Sequence, residues 1–191
     1  MKIRIGFFAV MLVLSLMISR SVLALAALLA ALFHELGHLL IARKYKIQFQ
    51  ECKVGLFGAG LYPDNSLFSY KQEIALCAAG PLFNFLLAAA LLPVLSRYPH
   101  TFLLYLYFSS LSLGILNLLP IRDFDGGRIL YSVLSIRCSQ HTSSLCLSFL
   151  SFLSLFILWS FSVYFLLRAS ATLSLFIFTV SIFFRIFMIA Q

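Results

Sequence analysis

The chain has 191 residues, of which 62% are hydrophobic and only 10% charged, with a mean hydropathy of +1.04. That composition excludes an ordinary soluble domain and identifies an integral membrane protein whose first partner is the lipid bilayer. The formal net charge of +8 would suit nucleic acid, but the cations sit between apolar runs with no polar domain to carry them, so nucleic acid is excluded and they read as topology signals.

Lys2 and Arg4 precede an apolar stretch, as in a signal peptide, yet Arg20 follows directly and no small-x-small cleavage pattern is present. A retained first span is therefore expected between Arg4 and Arg20. Its 15 residues would rise roughly 22 Å as a helix against a hydrocarbon core of roughly 30 Å, so the flanking arginines must snorkel. Ser21 to Ala42 gives a second span, Ile74 to Ser96 a third and Thr101 to Leu119 a fourth. Ser143 to Leu167 gives a fifth, and Ala169 onward a sixth with Arg185 near its end. The expected fold is an all-α polytopic membrane protein of about six transmembrane helices, forming one domain over residues 1–191.

Two stretches between spans are not ordinary loops. In "KVGLFGAGLYPDN" the glycines Gly55, Gly58 and Gly60 break any helix and Pro63-Asp64-Asn65 reads as a turn, which predicts a short β-hairpin or edge strand at the membrane surface after helix 2. In "NLLPIRDFDGGRIL", Asn117 to Leu130, Pro120 and the Gly126-Gly127 pair interrupt an apolar run. Non-helical backbone at that depth is tolerated only when buried in protein or lining a wet cavity.

With the N-terminus inside, the cytosolic side holds eleven of the lysines and arginines against three (Arg20, Arg97 and Arg168) on the other face. The positive-inside rule therefore predicts a cytosolic N-terminus, with the end of the second span and the Asp-Gly-Gly segment on that same side. The four cysteines, Cys52, Cys77, Cys138 and Cys146, form no CxxC pair and are read as packing residues.

The chemistry concentrates in "ALFHELGHLLIARK", Ala31 to Lys44, where His34, Glu35 and His38 stand in an otherwise apolar helix. Ionisable side chains cost on the order of 2.5–3.5 kcal/mol each in hydrocarbon on insertion scales, so a chain that keeps them there usually uses them. Two histidines four apart differ by about 40° around a helix and present their imidazoles to one point. Glu35 projects to the side, where it can reach a metal-bound water. This is the zinc metallopeptidase arrangement; a polar cluster between helices, or a proton- or metal-coupled transporter's relay, uses the same residues. A catalytic zinc needs a third protein ligand. Asp125 in "DFDGGR" follows a broken helix on the side of His38, and Asp123 is a rival two residues away.

HELGH in an early span, "AAGPLFNFLLA" (Ala78 to Ala88) in the next and "NLLPIRDFDGGRIL" in the one after resemble, in order, the three signatures of the intramembrane site-2 metalloproteases. The match runs from Ser21 to about Leu130, leaving extra helices over 143–191. The resemblance implies one zinc per chain on His34, His38 and Asp125, the aspartate directly before the glycine pair, with Glu35 as the general base. It places Asn117 at or near the substrate backbone, a role compatible with a helix C-cap before Pro120. Gly80 and Pro81 would let the third span approach the second closely, and Asn84 either orients a catalytic group or bonds across helices. The strand around Val54 to Leu61, with Gly58 and Gly60, would hold an unwound substrate by strand addition or merely plug the site. The implied activity is a zinc endopeptidase cutting a membrane-associated protein in or near its membrane segment. The short N-terminus, immediate HELGH helix and six-span count resemble a compact bacterial branch associated with sporulation and pro-sigma factors, in the cytoplasmic membrane; no PDZ-like insertion or CBS domain is expected over 1–191, which departs from that branch's regulated members.

Overall fold

In the computed structural model, residues 2–5, 21–46, 49–55, 58–63, 69–169, 174–184 and 186 are described. The chain divides into two compact units, 1–117 and 118–191. The greater part of the first expected span lies outside the described residues, as does most of the Pro63-Asp64-Asn65 turn.

In the first unit, strand β1 (Lys2–Ile5) pairs in parallel with β2 (Phe49–Gly55), which pairs antiparallel with β3 (Gly58–Pro63). The order β1-β2-β3 leaves β3 as an edge strand among the described residues. Helix α1 (Val22–Lys44) lies between β1 and β2 in sequence, and α2 (Tyr70–Arg97) and α3 (Thr101–Asn117) follow the sheet.

The helices are packed inside out relative to a soluble protein. On α1 the buried positions are Ala26, Ala30, His34, Gly37, His38 and Ala42, while Leu32, Phe33, Leu36, Leu39 and Leu40 are exposed. Small residues let backbones approach, and large apolar ones meet a lipid-like surround at no cost. Gly37 shows the closeness: a Cβ there would sit 2.6 Å from the Ala79 carbonyl oxygen of α2. Gly114 of α3 packs in the same manner against the Phe85 ring, 3.0 Å from where its Cβ would be. Ala26, Ala30 and Leu106 form the apolar heart of this unit, with Leu29, Leu87, Leu91, Phe102 and Leu113 around them.

Helix ends depart from the expected apolar runs because capping groups, not hydropathy, set them. Ser21 caps α1, accepting from Ala24 N–H, and the last turn carries Arg43 and Lys44 where cations favour the helix C-terminus. Helix α2 starts at Tyr70, four residues before the apolar run, because Gln72 Oε1 accepts from Ser69 N–H at 3.2 Å.

In the second unit, α4 (Asp125–Ser135), α5 (Gln140–Ala169) and α6 (Ser174–Phe184) follow a tight turn. Ser139 Oγ accepts from Thr142 N–H and so opens α5 three residues before the expected boundary. Ser143, Leu147, Ser151 and Leu155 make its buried stripe. Among the described residues three helices are long and apolar enough to cross a membrane, Val22–Lys44, Tyr70–Arg97 and Gln140–Leu167; Thr101–Asn117 is a shorter apolar helix.

Candidate metal centre

His34 and His38 lie one turn apart on the buried stripe of α1, 5% and 7% exposed. Their Nε2 atoms stand 3.2 Å apart and their rings meet edge to face at 81°. Each ring is held from behind by α2. His38 Nδ1 donates to the Leu76 carbonyl at 2.8 Å, and His34 Nδ1 lies 3.2 Å from Asn84 Nδ2. Binding the far nitrogen of each ring fixes its orientation and turns Nε2 toward a common point, the usual support for metal-ligating histidines.

Gly80 is what lets α2 come this close. A Cβ on it would strike His38 Nε2 and sit 2.7 Å from His34 Cε1 and Nε2. Pro81, in the following position, is fully buried inside the same helix and lacks the N–H that would bond one turn back. Glu35 is half-buried and, one residue beyond His34, is turned about 100° around the helix from it.

The donor set fits zinc. Two imidazole nitrogens at about 2.0–2.1 Å from a tetrahedral ion are separated by roughly 3.3 Å, and the observed 3.2 Å between the Nε2 atoms matches that spacing before any ion is considered.

In the second unit the two rival aspartates separate cleanly. Asp123 is exposed in a turn; Asp125 is the first residue of α4, 8% exposed, behind Phe124 as N-cap. The turn is built by Ile121 N–H donating to Leu119 O at 2.7 Å, Phe124 N–H to Ile121 O at 2.9 Å and Arg128 N–H to Phe124 O at 3.1 Å. A Cβ on Gly126 would collide with the Leu118 carbonyl, and one on Gly127 with the Ile121 carbonyl, so both glycines are required by the backbone path. Ser151 of α5 clamps the turn from both ends, accepting from Arg122 N–H at 3.0 Å and donating to Pro120 O at 3.2 Å.

Asn117 ends α3 and donates its amide to Leu113 O at 3.0 Å, four residues back in its own helix. Gly58 and Gly60 lie on β3, opposite Gly55 and Lys53 of β2. Sequence reasoning overlooked the Leu76 carbonyl and Ser151. A backbone acceptor has no side-chain signature, and one serine in a serine-rich helix carries no mark of its partner.

A model of peptidase family M50 matches residues 22–100 and 95–161. A zinc metalloprotease of Methanocaldococcus jannaschii is 33% identical over 122 residues, covering 60% of this chain and 35% of that protein. Stage IV sporulation protein FB of Bacillus subtilis is 34% identical over 115 residues, covering 58% of this chain and 40% of that protein. The chain thus spans well under half the length of these two relatives. The solved site-2 protease of Methanocaldococcus jannaschii superposes with a TM-score of 0.65 over 95% of this chain and 87% of that one, at 24% identity, a likeness of fold. With the family match spanning most of the chain and the two imidazoles of His34 and His38 converging, the protein belongs to peptidase family M50.

Proposed function

We propose that the protein is a zinc-dependent intramembrane endopeptidase, hydrolysing a peptide bond in or near the membrane segment of a membrane-associated protein. The observation that carries this reading is the pair of Nε2 atoms 3.2 Å apart, each ring anchored through its other nitrogen. His34, His38 and Asp125 would hold one zinc. Asp125 takes precedence over Asp123 because it stands directly before the glycine pair and is buried, whereas Asp123 is exposed.

Bound there, zinc supplies Lewis acidity to the scissile carbonyl and to the attacking water. Glu35 would take a proton from the attacking water as its oxygen bonds to the carbonyl carbon, and would then pass that proton to the amine nitrogen as the peptide C–N bond breaks. A helical peptide bond is shielded by its own hydrogen bonds, so the substrate must be extended first. Strand β3, with Gly58 and Gly60, is an edge among the described residues and would offer its backbone for strand addition. Asn117 would meet the substrate backbone near the cleft.

Six membrane spans in one domain, the first of them before Ser21, complete this reading. The lysine and arginine distribution supports an N-terminus and site toward the cytosol, and the reading places the protein in a bacterial cytoplasmic membrane. Pro-sigma factors and membrane-bound signalling proteins are the substrate classes this reading carries, and the likeness to a sporulation protein is compatible with a role in sporulation.

The test measures bound zinc per chain and cleavage of a membrane-tethered candidate substrate in the parent, Glu35→Gln and Asp125→Ala. About one zinc in the parent, kept in Glu35→Gln without cleavage and weakened in Asp125→Ala, is expected. Cleavage surviving in Glu35→Gln refutes the reading. Zinc uptake into sealed vesicles that Glu35→Gln abolishes would make the protein a metal-coupled transporter instead.

A further inference from the structure

The sheet of β1, β2 and β3 sorts its residues by charge. Successive residues of a strand alternate between the two faces, and cross-strand partners share a face. Ile3 pairs with Cys52 and Ile5 with Val54, and β3 continues those two rows with Leu61 and Ala59, so one face is apolar.

The rows of the other face carry the charges. One sets Lys2 beside Glu51 and ends on Tyr62. The next sets Arg4 beside Lys53 and ends on Gly60, and the row beyond it holds Gly55 and Gly58. The irregularity of register falls between Phe49 and Glu51 and leaves these rows in step.

The middle row is unbalanced. Lys2 and Glu51 are opposite charges on neighbouring strands, which favours the pairing, whereas Arg4 and Lys53 are like charges, which opposes it. Within the described strands this row carries two cations and no anion, and its last position, at the edge, is a glycine with no side chain. A strand added alongside β3 would supply the next position of the same row. Neighbouring strands lie about 4.7–4.9 Å apart, so that position would stand about 9–10 Å from Lys53, measured between Cα atoms. A lysine and a glutamate can pair over such a gap when no side chain stands between them, and a glycine at position 60 meets that condition.

We propose that this row makes the enzyme selective for an acidic residue: the substrate segment that joins β3 carries Asp or Glu in register with Gly60, and Lys53 and Arg4 supply the opposing charge. The inference rests on the protease reading above and on strand addition at β3. It differs from a general attraction between a cationic chain and acidic peptides, because a row fixes one position of the substrate and leaves its neighbours unselected.

The experiment uses zinc-loaded full-length protein in detergent micelles and a mixture of peptides that share an apolar anchor and carry a randomised segment beside it. Mass spectrometry of the products counts each residue preference from the bond that was cut. Expected is an enrichment of Asp and Glu of about two- to fivefold at one fixed position, the range of an exposed ion pair. It should fade at roughly 1 M salt, where the Debye length falls to about 3 Å. Lys53→Glu leaves the row with no net charge and should erase the preference. Arg4→Glu combined with Lys53→Glu gives the row two negative charges and should exchange the preference for Lys and Arg at the same position. An acidic enrichment spread evenly over the randomised segment, or none at any position, overturns the proposal while the protease reading stands. A preference that survives Lys53→Glu overturns it equally. A parent that binds zinc and cuts none of the mixture overturns the protease reading and this inference together.

Discussion

Gly80→Ala is the most direct physical test of the histidine pair, because it adds one methyl group and removes nothing. That methyl would stand 2.7 Å from His34 Cε1 and Nε2, where ordinary contact begins at 3.4 Å, and nearer still to His38 Nε2. The His34 ring would have to retreat by about 0.7 Å and the His38 ring further, yet each is pinned from behind, His38 by the Leu76 carbonyl at 2.8 Å and His34 by Asn84 at 3.2 Å. The alternative is for α2 to move away, but Gly37 against the Ala79 carbonyl holds the same two helices close at the adjacent residues. Inserting a methyl into packing of this kind costs about 1–3 kcal/mol. If that strain falls on the metal-bound geometry, it corresponds to a loss of roughly 5- to 150-fold in zinc affinity. Competition with a chelating dye on detergent-purified protein reads the affinity, and thermal unfolding without metal separates strain at the site from general destabilisation. Parent-like zinc affinity in Gly80→Ala would refute the reasoning, since it would mean that the Nε2 face beside Gly80 is not where the ion sits.

The two aspartates give a paired prediction: Asp125→Asn should lose bound zinc, measured as metal per chain, while Asp123→Asn, altering an exposed turn residue, should keep both zinc and cleavage. Ser151→Ala strands the Arg122 N–H and the Pro120 carbonyl at once. A loss of about 1–3 kcal/mol, the cost of leaving a buried polar group unsatisfied, should appear as a lower unfolding temperature, whereas Ser160→Ala, an exposed serine that bonds only its own helix at Phe156, should leave it unchanged.

How much of this was legible in the sequence depends on whether the cause lay in one segment. His34 and His38 could be placed on one face of a helix from their spacing alone, and the structure has them there with converging Nε2 atoms. The helices α1, α2, α3 and α5 were visible as apolar runs, since hydrophobic length is itself the signal. Their ends were misjudged by a few residues at Tyr70 and Gln140, because the apolar run begins after the cap and the caps of Ser69 and Ser139 are polar. The short helix from Asp125 was hidden, since Gly126 and Gly127 read as helix breakers. In the structure they lie in its first turn, where carbonyls of Leu118 and Ile121 leave no room for a side chain. Asn84 was visible as a polar residue in an apolar helix with its partner undetermined, and only the fold joins it to His34 across fifty positions of sequence.

The inverted packing also explains how a polar centre can persist in hydrocarbon. In a soluble protein, a buried histidine pair displaces apolar side chains from a core on which stability rests. Here the large apolar residues of α1 already face outward, and its buried stripe is alanine and glycine apart from the two histidines. Association of such helices depends on close approach and on polar bonds between them rather than on burying large apolar area. The bonds His38–Leu76 and His34–Asn84 therefore serve two ends at once, joining α1 to α2 and aiming the two Nε2 atoms. A substitution that frees either ring should loosen the helix pair as well as the metal. For that reason, the decisive variants are those that keep both bonds and change only the space or the chemistry in front of the rings: Gly80→Ala for the space, and Glu35→Gln for the chemistry.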